Sequence, residues 1–217
     1  MELFAVLVFY IISVLLLILN RIGALKRGRI LFKTLSSIIF ILIWFVSSAE
    51  YVFVMLIPLV FYMAGDIILV LFSGKKGFIT GMAAFLTGNI VMIFILISEV
   101  GIRFSDFIIL AVVLVIAGVG MGYRRLDFAG TGIIIAVYIF IICIMVAKSI
   151  SLIWSPGLSE IFPSVLFASG ALLYGVSDIV LANNKFKYKE SRWLSPLNLG
   201  LYYTGIGLIA VSVPHIF

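Results

Sequence analysis

The sequence predicts an all-α polytopic membrane protein with about eight transmembrane helices. Three observations carry that expectation. Of its 217 residues, 65% are hydrophobic and only 11% charged, where soluble domains hold about 25% charged residues; mean hydropathy is +1.35. The apolar residues fall into runs of about 17–25, the length a helix needs to cross the hydrocarbon core. The breaks between runs are short and hold the charges and turn formers. Lipid offers no partner to an unpaired backbone group, so spans of this kind are helical throughout.

In chain order the runs fall near residues 3–20, 30–48, 51–72, 78–98, 105–123, 130–148, 160–182 and 195–216. The first lacks a basic leading segment and an A-x-A cleavage site, so it reads as a retained anchor. "NRIGALKRGR" separates it from the second, which carries Lys33 near its start. "SSAE" is the shortest break. The third run holds "YMAGDIILVLFSGKK" (residues 62–76), with Asp66 inside an apolar stretch. The fourth opens on "GFITG" (residues 77–81), a small-xxx-small spacing, and carries Asn89. The fifth ends in "GVGMG" (residues 118–122). No strand precedes those glycines, so a nucleotide loop is rejected and close helix packing is expected. Tyr138 and Cys143 lie in the sixth run, "YGVSDIVLANNKFK" (residues 174–187) with Asp178 in the seventh, and Tyr202 and Tyr203 in the eighth. No linker or low-complexity tract divides the chain, so residues 1–217 read as one transmembrane domain.

Lys and Arg set the expected orientation. Loops after odd-numbered helices hold twelve of them: Arg21, Lys26, Arg27 and Arg29; Lys75 and Lys76; Arg124 and Arg125; Lys185, Lys187, Lys189 and Arg192. Loops after even-numbered helices hold two, Arg103 and Lys148. The positive-inside rule then puts odd-numbered loops in the cytoplasm and both termini on the other side, with the cell membrane the expected location. The same scatter explains the net charge of +6 without a nucleic-acid partner. One cysteine, Cys143, excludes an intramolecular disulfide and thiolate metal sites. The single histidine, His215, stands two residues from the end, so no Ser-His-Asp set exists. Neither a metal nor a cofactor is expected.

The chain also repeats itself. Aligning Asp66 with Asp178 pairs Tyr62 with Tyr174, Ile67 with Ile179, Leu69 with Leu181 and Lys75 with Lys187. In the following runs "FLTG" (residues 85–88) resembles "YYTG" (residues 202–205). This suggests a four-plus-four duplication with halves 1–100 and 101–217. Both halves have an even number of helices and so share one orientation, a parallel repeat with substrate expected between them.

Ionisable residues within a span cost about 2.5–3.5 kcal/mol each at a helix centre. Lys33, Asp66 and Asp178 are the three that stand out. Each Asp precedes a flanking Lys by nine residues, about 13 Å at 1.5 Å per residue, so both acids are expected at one depth, with Lys33 entering from the same side. The bland reading is that each acid only fixes helix packing. Against it, two acids and one Lys leave an acid without a cation, and two carboxyl groups in unlike settings suit acid/base chemistry. Ser177 beside Asp178, against Gly65 beside Asp66, marks the second acid as the more polar of the two. Tyr138, Asn89, Tyr202 and Tyr203 are the further candidates for lining a shared cavity, although such residues more often serve as interhelical glue.

The motifs resemble those of the YhhN family of lysoplasmalogenases from about residue 30 to the end. "FKTLSS" opening the second helix is similar to the family's "FKPLT", and "GDIILV" to its "GD" motif. "VYIFIICIM" (residues 137–145) fits its Tyr-x-x-x-Ile-x-x-Met pattern. "GALLYGVSDIVLANNKF" (residues 170–186) resembles its "SD…LA-x-N-x-F" segment, and "YYTG" its final "YY-x-A-Q". The chain departs from the pattern at Thr34 for Pro, Asn89 for His, Met92 for Tyr and Ile206 for Gln. The resemblance implies eight membrane helices, cleavage of the vinyl ether bond of a lysophospholipid, and Asp66 and Asp178 as the catalytic pair. Protonation of carbon by a neutral carboxyl group, followed by water on the resulting oxocarbenium ion, would need no cofactor. Lys33 would then hold the lipid phosphate, and an apolar cavity the alkenyl tail. A proton-coupled transporter, a lipid-binding membrane protein and a scaffold are the alternatives that the same residues leave open.

Overall fold

A computed structural model describes residues 2–25, 28–47, 53–72, 74–122, 132–155, 161–185 and 193–216. Among these it contains eight α-helices, each long and apolar enough to cross a membrane. They are α1 (Glu2–Arg21), α2 (Arg29–Ser47), α3 (Leu56–Leu71), α4 (Gly74–Val100), α5 (Phe104–Gly122), α6 (Gly132–Ser151), α7 (Ile161–Lys185) and α8 (Leu194–Ser212). A 3-10 turn, Phe53–Met55, leads into α3, and others follow α6 and α8. The protein is an integral, multi-pass membrane protein. Lys26, Arg27, Arg124, Arg125, Lys187, Lys189 and Arg192 lie outside the described residues.

The helix starts follow from backbone accounting. Pro58, Pro163 and Pro196 each stand third in their helices α3, α7 and α8. There the missing N–H is one that no helical carbonyl would have reached. Consecutive helices pack in pairs, α1 with α2, α3 with α4, α5 with α6 and α7 with α8. The pairs are joined by α2 against α3 and α8, and by α4 and α7 against α6. Small residues set the closest crossings. A Cβ on Gly170 would stand 2.6 Å from the Gly205 carbonyl oxygen, and one on Gly205 2.7 Å from the Gly170 carbonyl oxygen. In α4, Gly81 lies against Leu69 and Gly88 against the Tyr62 ring. "GFITG" therefore packs as its spacing predicts. "GVGMG" does so only in part: Gly120 touches Ile179 of α7, while Gly118 faces open space.

The core is aromatic and central, with Phe40, Tyr62, Phe167, Tyr174 and Tyr203 fully buried. The outer faces are the reverse of a soluble protein's. α5 in particular exposes Val112, Val115, Ile116 and Val119, as a helix in hydrocarbon does.

One buried charge is not where the sequence places it. Lys148 is not a loop residue; it lies in α6, 4% exposed, and pairs with Asp106 of α5 at 2.7 Å. It also donates to the Gly101 carbonyl oxygen in the turn between α4 and α5. Asp106 accepts the Arg103 backbone N–H at 3.0 Å, and Arg103 reaches the Trp154 carbonyl oxygen. The cluster fastens that turn to the end of α6. A charge neutralised in this way can stay inside a helix that the sequence would otherwise end there.

A candidate active site between the two acids

Asp66 and Asp178 line one cavity of about 160 Å³. Its walls come from α1, α2, α3, α4, α7 and α8, and it opens where α1 and α7 end and α2 and α8 begin. Lys33, Phe85 and Tyr202 share its deep part, and Arg21, Arg29, Lys185, Ser195 and Asn198 surround its mouth.

Asp66 is 1% exposed and fully partnered. Its Oδ1 is 3.0 Å from Lys33 Nζ. Its Oδ2 accepts from Ser37 at 2.8 Å, Tyr202 at 3.0 Å and Tyr203 at 3.1 Å. Lys33 and Ser37 are four residues apart on α2 and so present one face to α3. Four donors around one carboxyl group fit its charged form, because a buried charge is tolerated only when paired and hydrogen-bonded.

Asp178 has different company. Tyr138 of α6 donates to its Oδ2 at 3.0 Å, and among the described residues no Lys or Arg forms an ion pair with it. A second set of polar groups is buried behind the cavity: Tyr62 donates to Asn89 Oδ1 at 2.8 Å, and Asn89 Nδ2 donates to the Tyr174 hydroxyl at 3.2 Å. Ser177 does not enrich this setting: its hydroxyl bonds back to the Tyr174 carbonyl oxygen of its own helix. The polar acid is thus the first one, not the second as Ser177 suggests.

Between the acids stands a closed set of four rings. Tyr62 meets Tyr174 at 5.4 Å between centroids, Tyr174 meets Tyr202 at 5.7 Å, Tyr202 meets Phe85 at 5.8 Å and Phe85 meets Tyr62 at 6.3 Å. Edge, tilted and stacked contacts of this kind add about 0.5–1.5 kcal/mol each beyond area burial. They hold α3, α4, α7 and α8 at a fixed spacing around the carboxyl groups.

The residues named from sequence separate into tiers. Lys33, Asp66, Asp178 and Tyr202 line the cavity. Tyr138 and Tyr203 reach the acids from behind it. Asn89, expected as a lining residue, is instead enclosed between Tyr62 and Tyr174. Ser37, Tyr62 and Tyr174 were legible as motif letters, since "FKTLSS" and the repeat contain them, but nothing in their spacing assigned them a role. Asn198 was not legible: it reaches the Ser177 carbonyl oxygen across α7 and α8 at 2.7 Å. No cluster of His, Cys, Asp and Glu suited to a metal occurs among the described residues.

The YhhN family profile matches residues 28–213, a stretch that contains both acids, Lys33 and all four rings. The chain belongs to the YhhN family. No curated protein and no solved structure matches it.

Proposed function

We propose that this YhhN-family protein hydrolyses the vinyl ether bond of a lysoplasmalogen or related ether lysolipid, releasing a fatty aldehyde and a glycerophospho-ethanolamine or -choline. The observation that carries the reading is the pair of carboxyl groups in one cavity with unlike partners. Membership in a family associated with hydrolase activity supports it.

The environments divide the roles. Two carboxyl groups set apart by their surroundings can serve as acid and as fixed charge in one reaction. Asp178, with no ion-pair partner among the described residues, carries the proton. It gives that proton to the alkene carbon β to the ether oxygen, and the π pair forms the new C–H bond. Positive charge develops on the α carbon and the ether oxygen. Asp66, held as a carboxylate by Lys33 and three hydroxyls, supplies standing negative charge that favours this cation over the neutral alkene. Water adds to the α carbon and passes a proton to Asp178, restoring its starting form. The hemiacetal then breaks its C–O bond to the glycerol oxygen, which takes up the hydroxyl proton as the aldehyde leaves. A small cleft of about 20 Å³ beside Asp178, bounded on its polar side by Asp178 and Tyr138 alone, has room for about one water. The scheme parallels two-carboxylate glycoside hydrolysis, with carbon in place of oxygen as the atom protonated.

The phosphate belongs at the mouth. Lys33, the residue expected to hold it, is engaged with Asp66 at 3.0 Å. Arg21, Arg29 and Lys185 stand at the opening instead. Arg21 also bonds Ser195, and the Lys185 ammonium lies 5.7 Å above the Phe78 ring. Arg29→Gln and Lys185→Gln are expected to raise KM about three- to tenfold with kcat nearly unchanged, the pattern of lost uniform binding. An unaltered KM in both would remove the phosphate from this mouth.

The test of the reading is aldehyde release from lysoplasmalogen by purified protein in detergent, with no ion gradient. Release above the protein-free rate is expected. Its absence, together with gradient-dependent uptake of a solute into proteoliposomes, would place the acids in a transporter.

A further inference from the structure

A second depression also reaches Asp178. It is a groove between α5, α6 and α7 of about 70 Å³ with no polar surface, and Asp178 is among the residues that line it. Its floor and walls include Ala117 of α5, Ile142, Cys143 and Val146 of α6, and Gly175 and Val176 of α7. Along α7 it runs from Leu172 to Ile179, past Asp178, a span of about 10 Å at 1.5 Å per residue. The outer face of α5 beside it is fully apolar and exposed. Among the described residues, Asp178 is the one that lines both this groove and the polar cavity.

A single-chain ether lipid has the matching sequence of parts: a phosphate, a glycerol, a vinyl ether and a hydrocarbon tail. We infer that the α5–α6–α7 groove is the binding site for the hydrocarbon tail next to the vinyl ether, so that the substrate threads past Asp178 with its phosphate in the polar cavity. This rests on the hydrolase reading for the chemistry at Asp178, and it adds the direction in which the lipid lies. The groove is apolar, so its favoured occupant is hydrocarbon, which gains by leaving water or a detergent surface. Its short length means that only the first part of the tail is held by protein and the rest lies among lipids beside α5. The two depressions also explain the position of Asp178: a proton donor must stand where the polar and apolar parts of the substrate meet.

Two measurements test this. Ala117→Phe fills the groove from α5, a helix with few buried residues, and Val115→Phe adds the same ring on the lipid-facing side. In aldehyde-release assays with lysoplasmalogens of graded tail length, wild type and Val115→Phe should prefer long tails over very short ones. Ala117→Phe should reduce that preference at least fivefold. An unchanged preference in a variant that still turns over would overturn the inference. The second measurement needs no turnover. Cys143 lines the groove and is the protein's single cysteine. A saturated ether lysophosphocholine, which cannot be hydrolysed, should slow alkylation of Cys143 by a small maleimide at least fivefold in wild-type protein, and glycerophosphocholine should not. Equal rates with both compounds would overturn the inference even if Ala117→Phe fails to fold. Protection of Cys143 in a protein that releases no aldehyde would instead retain the groove and reject the hydrolase reading.

Discussion

At the residue scale, the two acids have the same motif and opposite surroundings. Each draws a partner from the helix before its own: Lys33 and Ser37 of α2 for Asp66 of α3, Tyr138 of α6 for Asp178 of α7. A cation beside Asp66 and none beside Asp178 among the described residues is the difference on which the proposed roles rest. Sequence reading found both acids and Lys33, because an ionisable residue in a hydrophobic run is conspicuous. It could not pair them, since Lys33 is 33 residues from Asp66 and 145 from Asp178 in the chain and no local pattern selects between them. It also misjudged Ser177, whose hydroxyl can satisfy itself on its own helix. The pair has a stability consequence. Lys33→Met leaves Asp66 buried with its charge unmatched, and breaking a buried pair on one side costs about 3–5 kcal/mol. A large fall in the thermal unfolding midpoint in detergent is expected, and Lys33→Met combined with Asp66→Asn should recover much of it. A single variant as stable as wild type would show that the pair is not needed to hold α2 on α3.

At the element scale, eight helices were legible and their ends less so. The sequence ends a span at the first charge, whereas a helix ends where its backbone loses partners. α4 therefore begins at Gly74, ahead of Lys75 and Lys76, and α6 continues through Lys148, which Asp106 neutralises. The α7–α8 crossing is close, with backbone of Gly170 and Gly205 in mutual contact range of any added Cβ. The same two helices carry Asp178, Tyr202 and Tyr203. Gly205→Leu must push α8 off α7, since the obstructing atoms are backbone and cannot rotate aside. Overpacking of this kind costs about 1–3 kcal/mol or more, and the shift would move Tyr202 and Tyr203 away from Asp66. The expected result is a lower unfolding midpoint together with lost turnover. Gly118→Leu, which meets nothing within 4 Å, serves as the comparison and should change neither. A Gly205→Leu protein with normal stability would contradict the close crossing.

At the scale of the whole molecule, we propose that the bundle is a duplication of four helices. The packing supports this: α4 against α6 and α8 against α2 are the same neighbours shifted by four helices. The ring set has the same relation, Tyr62 with Phe85 answering Tyr174 with Tyr202, and Gly88 lies against Tyr62 as Gly205 lies against Tyr174. A duplicated element places two acids around one centre, and divergence of the flanking helix then gives each its own chemistry. We propose that the cavity mouth faces the cytoplasm, the side that the basic loops favour. The central claim is that Asp178 gives the proton and Asp66 only holds charge. The most direct test is the rate of aldehyde release by Asp178→Asn, purified in detergent and eluting as wild type does on gel filtration. A fall of about 10²- to 10⁴-fold, the usual contribution of a general acid, is the result predicted; turnover within a few-fold of wild type would contradict it.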